Sequence, residues 1–477
     1  MRTEQVHTLI LGAGPSGLAA GYKLARAGFQ TVVLEKDKVC GGLMRSLKHG
    51  EFIMDVGRKE LYNRLAKVDS FWSEILGDDY RHYPHRGGIL YDGHIIDMSP
   101  TYRGFRRGMP WSLLLGCGLD FLRARAMPGR SKPRSLEEYL YRKRGRRLTQ
   151  IFSQGFQEKL DGKRWADIPL PKDQANGDDA DLLGTVKAML VRAFSEKEVN
   201  TYKGIWRHPA KGTGQICESL AQGIVQAGGR IHYESRVKGM EASGGVVHTV
   251  LAEIGSETIV YKPLNVVSSI PVEFLTQFLL PSRSDAGGKR ARALDPLRRT
   301  VVLVYLFLDE EPKFPHAWLQ VTCPKMRSGR IANYAAFNGD MVPQGKTCLC
   351  CEIYCFGPDS LLELENAEIA KLALEECSKA RLVNRAKCFD QLVLRLPGAD
   401  ASQNRDNWMS EARLGFLEDI KQFKNLYYVN RTETDIATLA GIEAAEAILS
   451  GDRAEFDLRV DPAQLQIRSE SKAFAFR

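Results

Sequence analysis

Long apolar runs are missing from this chain of 477 residues. No stretch approaches the roughly 18 apolar residues that a spanning helix needs. No leader-like segment separates the start, Met-Arg-Thr-Glu-Gln-Val-His, from Thr8-Leu9-Ile10-Leu11, so a reducing, cytoplasmic setting is expected. Cysteine is present without a pattern: ten residues are scattered along a chain far too long for a disulfide-stapled mini-domain. The tightest group is Cys348, Cys350, Cys351 and Cys355, in a run that reads as a strand. It lacks the paired spacing of metal ligands, so buried packing is expected and no metal. A nucleophile–base pair is also absent. His82, His85, His94, His208 and His316 are isolated and read as surface or polar-core residues.

Compositional extremes are lacking too. With 44% hydrophobic and 26% charged residues, the chain is neither disordered, collagen-like nor coiled-coil. At about 150 residues per domain, its length suits about three domains or two large interleaved ones. The net charge of +9 admits nucleic acid, anionic lipid or an anionic substrate as a partner. The basic stretch Arg103–Arg147 carries no recognition motif, so nucleic acid is set aside.

The strongest positive signal lies in residues 6–42. An apolar run, Val6 to Leu11, ends at Gly12-Ala13-Gly14-Pro15-Ser16-Gly17. An alanine-rich helix is predicted from Leu18 to Ala27, stopped by Gly28, and Thr31-Val32-Val33-Leu34-Glu35 follows as a strand. Gly12 permits a tight turn, Gly14 lets the backbone approach a pyrophosphate, and Gly17 allows close helix–sheet packing. The helix start offers N–H groups and a positive dipole to phosphate, and Glu35 can accept from ribose hydroxyls. Glu35 also argues against a 2′-phosphate, which it would repel.

Glu35 followed by Cys40-Gly41-Gly42 resembles the FAD signature of glutathione-reductase-like flavoproteins. Further motifs extend the likeness. They are Gly41-Gly42-Leu43, Phe52-Ile53-Met54-Asp55-Val56-Gly57, Ile89-Leu90-Tyr91-Asp92-Gly93 and Gly155-Phe156-Gln157-Glu158-Lys159. Pro209 to Gln215, Val266 to Pro271 and Asn425 to Val429 complete the series. In this order the chain resembles the FAD-dependent amine-oxidase and protoporphyrinogen-oxidase-like superfamily, with a more distant likeness to UDP-galactopyranose mutases.

The resemblance implies an α/β fold: a glutathione-reductase-like FAD-binding Rossmann domain interleaved with an α+β substrate domain. The FAD domain would comprise residues 1–62, 204–272 and 422–455, the substrate domain 63–203 and 273–421, and the tail 456–477. FAD contacts are implied for Gly12, Gly14, Pro15, Ser16 and Gly17, for Glu35 and Lys36, and for Gly41, Gly42 and Leu43. Gly57, Arg58, Val237, Asn430, Thr438 and Leu439 follow. A helix is read from Gly441 to Leu449, its amino end toward the flavin. No cysteine lies near 430–441, so non-covalent binding is expected.

Two departures bear on activity. The mutase tryptophan is replaced by the run Glu158-Lys159-Leu160-Asp161, and the long loop after the late strand is missing, which argues against a mutase. Arg58-Lys59 follows Gly57 where relatives tend to carry glycine and histidine. A cation there could hold an anionic reduced flavin or a substrate carboxylate or phosphate. Arg58, Lys59 and Asp161 are thus the catalytic candidates. The expected activity is hydride removal from a small, anionic small-molecule substrate to flavin N5. The alternatives are a redox-neutral isomerase or mutase of a nucleotide sugar and a non-catalytic flavin-binding protein. Within 103–147, Met109 to Leu119 is apolar and flanked by arginines. It reads either as a core helix or as a peripheral contact with the inner face of a membrane. Substrate, electron acceptor and oligomeric state are not named by the sequence.

Overall fold

A computed structural model describes residues 2–61, 65–83, 86–98, 108–126, 133–170, 206–280, 299–398, 411–431, 433–454 and 456. Expectations that fall on 103–107, 127–132, 171–203, His85 and the tail from 457 lie outside these residues. The chain forms two compact units, Met1–Tyr83 with Tyr202–Arg298 and Ala399–Arg477, and Pro84–Thr201 with Arg299–Gly398.

The first unit is built on a mostly parallel sheet. Its strand order is Ser235–Ser243, Val246–Ile254, Glu257–Ser268, Arg2–Leu11, Thr31–Leu34, Arg230–His232, with Leu426–Tyr428 also pairing to Glu257–Ser268. Arg2–Leu11 is the central strand, parallel to both Glu257–Ser268 and Thr31–Leu34. Its inner residues Leu9, Ile10 and Leu11 are almost wholly buried, as a strand covered on both faces requires. The helix Pro15–Arg26 begins with proline, whose fixed φ suits a first turn, and Gly28 at φ +84° ends it. This helix packs against Gly214–Gln226 and Thr434–Ser450 through Leu18, Leu24, Ile216, Leu220, Ala440 and Ala444.

Glu257–Ser268 is one strand, although Pro263 lies within it. Pro263 sits beyond Tyr261, where pairing with Val246–Ile254 ends, and before Val266, where pairing with Leu426–Tyr428 starts. On that side the ladder asks it for no N–H. The late helix begins at Thr434 rather than Gly441, because Gly441 lies inside a close helix crossing. A Cβ there would lie 2.0 Å from the Ser16 carbonyl oxygen. Finally, segments assigned by sequence to the substrate domain pack in this unit. Helix Ala66–Leu76 buries Val68, Phe71 and Trp72 in its core, and Lys67 Nζ lies 2.6 Å from Glu443. Val272–Leu279 joins Phe416 and Ile420 in a second cluster.

The second unit carries its own sheet, in the order Cys388–Leu396, Arg299–Leu308, Thr347–Phe356, Ser328–Asn333, Trp318–Val321, Gly87–Tyr91, His94–Asp97. Arg299–Leu308 and Thr347–Phe356 pair antiparallel along their full length, Arg299 opposite Phe356 and Leu308 opposite Thr347. Both are buried throughout their centres. One face, with Val302, Val304, Leu306, Leu349, Cys351 and Ile353, is covered by helix Asn366–Lys379 through Ile369, Ala370 and Ala373. Cys348, Cys350, Cys351 and Cys355 are therefore buried strand residues, and desolvation pushes the Cys348 and Cys350 thiols well up.

Candidate cofactor site

The glycine turn between Leu11 and Pro15 divides its labour as the spacing requires. At Gly12, φ is +104° and a Cβ would meet Ser269 Oγ at 2.2 Å. At Gly17 a Cβ would meet the Gly12 carbonyl oxygen at 2.0 Å and Ile10 Cγ2 at 3.1 Å. At Gly14 nothing lies within 4 Å. Two glycines are thus demanded by the protein's own packing, whereas the third faces open space at the helix start. The N–H groups of a first helical turn lack intrahelical partners, and the dipole there favours an anion. Pro15 and the buried Ser16 belong to that turn.

Glu35 is buried at the end of its strand. One carboxylate oxygen accepts from Ala13 N at 2.7 Å and the other from Asp37 N at 2.9 Å. It therefore holds the glycine turn from below, and each oxygen keeps a further lone pair. The Gly41–Gly42 pair is clamped to the same turn: Gly41 N donates to Ala13 O at 2.7 Å. Gly41 and Gly42 take φ of +101° and +55°, and a Cβ on Gly42 would stand 3.7 Å from Gly14 Cα. Arg45 secures the loop by donating to Gly42 O at 2.9 Å and pairing with Asp37 at 3.7 Å. Leu43, next to this cradle, is 41% exposed, a large apolar side chain left for something to cover. Lys36 is exposed, with Asp37 3.8 Å away. Cys40 is buried and its thiol pushed up by desolvation, so it is no reactive thiolate.

Below Gly57, at φ +74°, lies a buried polar node that sequence reasoning missed. Asp55 is fully buried, and Oδ1 accepts from Ser46 Oγ at 2.6 Å and Thr213 N at 2.8 Å. Its Oδ2 lies 3.0 Å from His208 Nε2. The other ring nitrogen, Nδ1, lies 2.9 Å from the Pro209 carbonyl oxygen, so the ring bridges a carboxylate and a backbone carbonyl. Gly214 N donates to Ser46 Oγ at 2.9 Å, and Thr213 Oγ1 to Met44 O at 2.9 Å. One carboxylate therefore ties the ribbon Ser46–Asp55 to the turn opening helix Gly214–Gln226. The available signal was a lone acid in the apolar run Phe52-Ile53-Met54-Asp55-Val56.

The remaining candidates are placed as follows. Arg58 is 17% exposed and pairs with the buried Glu60 at 3.0 Å, so its guanidinium is not in bulk solvent. Lys59 is half-buried beside it. Asn430 Nδ2 donates to Ser269 O at 2.7 Å and so holds the loop after Leu426–Tyr428 against the strand end next to Gly12. Thr438 is buried and donates back to Thr434 O at 2.9 Å, with Leu439 half-buried after it. Val237 lies two residues past Ser235, whose N–H donates to Glu35 O at 2.8 Å. Asp161 belongs to the second unit, at the end of helix Gly155–Asp161, and accepts from Gln157 Nε2 at 2.8 Å.

A strand–glycine turn–helix with an acid at the next strand end defines a dinucleotide-binding unit. Residues 15–390 match the family of flavin containing amine oxidoreductases, and the chain belongs to that family. It is 46% identical over 105 residues to the all-trans-zeta-carotene desaturase of Myxococcus xanthus, covering 20% of this chain and 19% of that protein. It is 24% identical over 295 residues to the prolycopene isomerase of Daucus carota, covering 54% and 45% respectively. The chain thus spans less than half of these curated relatives. Among solved structures, reduced UDP-galactopyranose mutase superposes with a TM-score of 0.72 at 16% identity, over 94% of this chain and 97% of that one. At that identity the likeness is one of fold.

Proposed function

We propose that the chain is an oxidoreductase that binds FAD without a covalent link and removes a hydride from a small substrate to flavin N5. The observation that supports the cofactor is the contrast among the three glycines: Gly12 and Gly17 are filled by the protein, and Gly14 is open. When bound, FAD supplies the two-electron acceptor, while the protein contributes position and electrostatics. In this reading the first turn of Pro15–Arg26 receives the pyrophosphate, and Glu35 accepts from ribose hydroxyls with its remaining lone pairs. Asp55 holds Thr213 in place, and Asn430 fixes the late loop. An anionic substrate is the reading favoured by Arg58, Lys59 and the charge of +9.

A second reading draws on the relatives' names, a carotene desaturase and a prolycopene isomerase. By that analogy the substrate is an apolar polyene, either desaturated or isomerised. Purified protein should be yellow and release intact FAD on acid precipitation. Anaerobic mixing with candidate substrates then separates the readings. A dehydrogenating enzyme bleaches its flavin, an isomerase turns over only after prior reduction, and a non-catalytic protein does neither. A colourless preparation that takes up no added FAD would overturn the proposal.

A further inference from the structure

Helix Trp111–Ala126 in the second unit is apolar on two faces. One face is core: Cys117 is buried with Met109, Ile89, Ile96 and Ile151, and Phe121 is 8% exposed. The other face carries Trp111, Leu115, Leu119 and Leu122, at spacings of four, four and three, which is one helical stripe. These side chains are 65%, 66%, 54% and 51% exposed. Among the described residues, the other α-helices with large exposed apolar side chains have one each: Val225, Phe274 and Leu449. A surface helix ordinarily places charge where this one places leucine.

Cations flank the stripe. Arg123 is exposed directly after Leu122. Helix Leu136–Arg144 ends in Arg142, Lys143 and Arg144, and Arg146 and Arg147 open the next helix after Gly145. That junction abuts the apolar helix, since a Cβ on Gly145 would stand 2.9 Å from Phe121 N. The nearby acids are engaged: Asp120 with Arg147 at 3.5 Å, Glu138 with Arg142 at 3.8 Å, and Glu137 with Tyr141 and Gln154.

We infer that this helix docks the protein on a bilayer surface bearing anionic headgroups. The stripe inserts among the upper acyl chains, Trp111 sits at the interface, and the Arg142–Arg147 run meets the headgroups. The mode is surface docking, since no described helix is long and apolar enough to cross a membrane. The sequence left core and membrane as alternatives for this segment, and here opposite faces of one helix serve the two. Charge complementarity favours lipid over a second copy of the chain, which would bring the same cations to the contact.

The test is flotation of the flavin-loaded full chain with vesicles of phosphatidylcholine alone or mixed with phosphatidylglycerol. The mixed vesicles should carry the protein and the neutral ones far less, with binding falling as salt rises. Leu115→Glu/Leu119→Glu alters two exposed positions, so its melting temperature should match the parent while flotation falls about tenfold or more. Lys143→Ala/Arg146→Ala should lose about tenfold on mixed vesicles. Failure of the parent chain to float, or unchanged flotation of the leucine variant, would overturn the inference. So would a concentration-dependent dimer, seen by sedimentation and abolished by the leucine variant, in a protein that ignores vesicles.

Discussion

Gly14 and Gly17 sit three residues apart in one turn and should fail in opposite ways. Gly14→Val places its side chain in open space, so the folded protein should melt normally and contain no FAD. Gly17→Ala forces a Cβ against the Gly12 carbonyl, an overpacking cost of about 1–3 kcal/mol that should appear in the apoprotein melt. Flavin absorbance and thermal denaturation of both variants distinguish ligand contact from packing. Asp55→Asn can keep its oxygen on Ser46 and Thr213 only by turning its N–H₂ toward His208 Nε2, which now faces a carboxylate oxygen. Leaving one of these groups unsatisfied in the interior should cost about 1–3 kcal/mol and lower flavin content as well. The spacing of the glycines and Glu35 was legible because each role follows from local backbone geometry. Asp55 was not legible as a hub, because Ser46, Thr213 and His208 reach it only in the folded unit.

Helix Gly155–Asp161 shows how an element can be pinned by one side chain. Lys159 Nζ donates to the carbonyls of Val321, Cys323 and Ser328 at 3.2, 2.7 and 3.0 Å. Three acceptors for three N–H groups favour the ammonium form, but burial outweighs them and pushes its pKa down from 10.5 to about 8. The folded value lies below the unfolded one, so between these two values the unfolded chain binds more protons. The destabilisation from burying the charge is complete below about 8 and fades as pH rises toward 10.5. Unfolding free energies of the parent minus those of Lys159→Met should therefore increase across that window. A flat difference would show that the carbonyl cage compensates for desolvation. The sequence placed Lys159 in a motif without a role, since its three partners come from two strands and their connection, more than 160 residues away.

On the scale of the whole chain, cysteine burial gives a simple check. Nine of the ten thiols are buried and Cys388 alone is intermediate. Titration with an aromatic disulfide should find at most one fast thiol in the native protein and ten after denaturation. Several fast thiols would mean that the strand Thr347–Phe356 is not the buried element described. The interleaving of two units was suggested by motif order, yet the packing of Ala66–Leu76 and Val272–Leu279 followed from tertiary contact. Their apolar faces find cores in the first unit, and nothing in their own sequence says which core that is.

The sequence by itself determined the dinucleotide turn, its helix and the acid that follows, because a strand–glycine–helix transition is dictated by residues adjacent in the chain. It also determined the strand character of the cysteine run, although burial of both its faces from Thr347 to Cys355 was set by packing. Only the tertiary structure decided that Asp55 joins Ser46, His208 and Thr213, and that Trp111–Ala126 keeps one apolar face outside. Each of these depends on what comes to lie opposite a residue, and that is set by packing between segments distant in sequence.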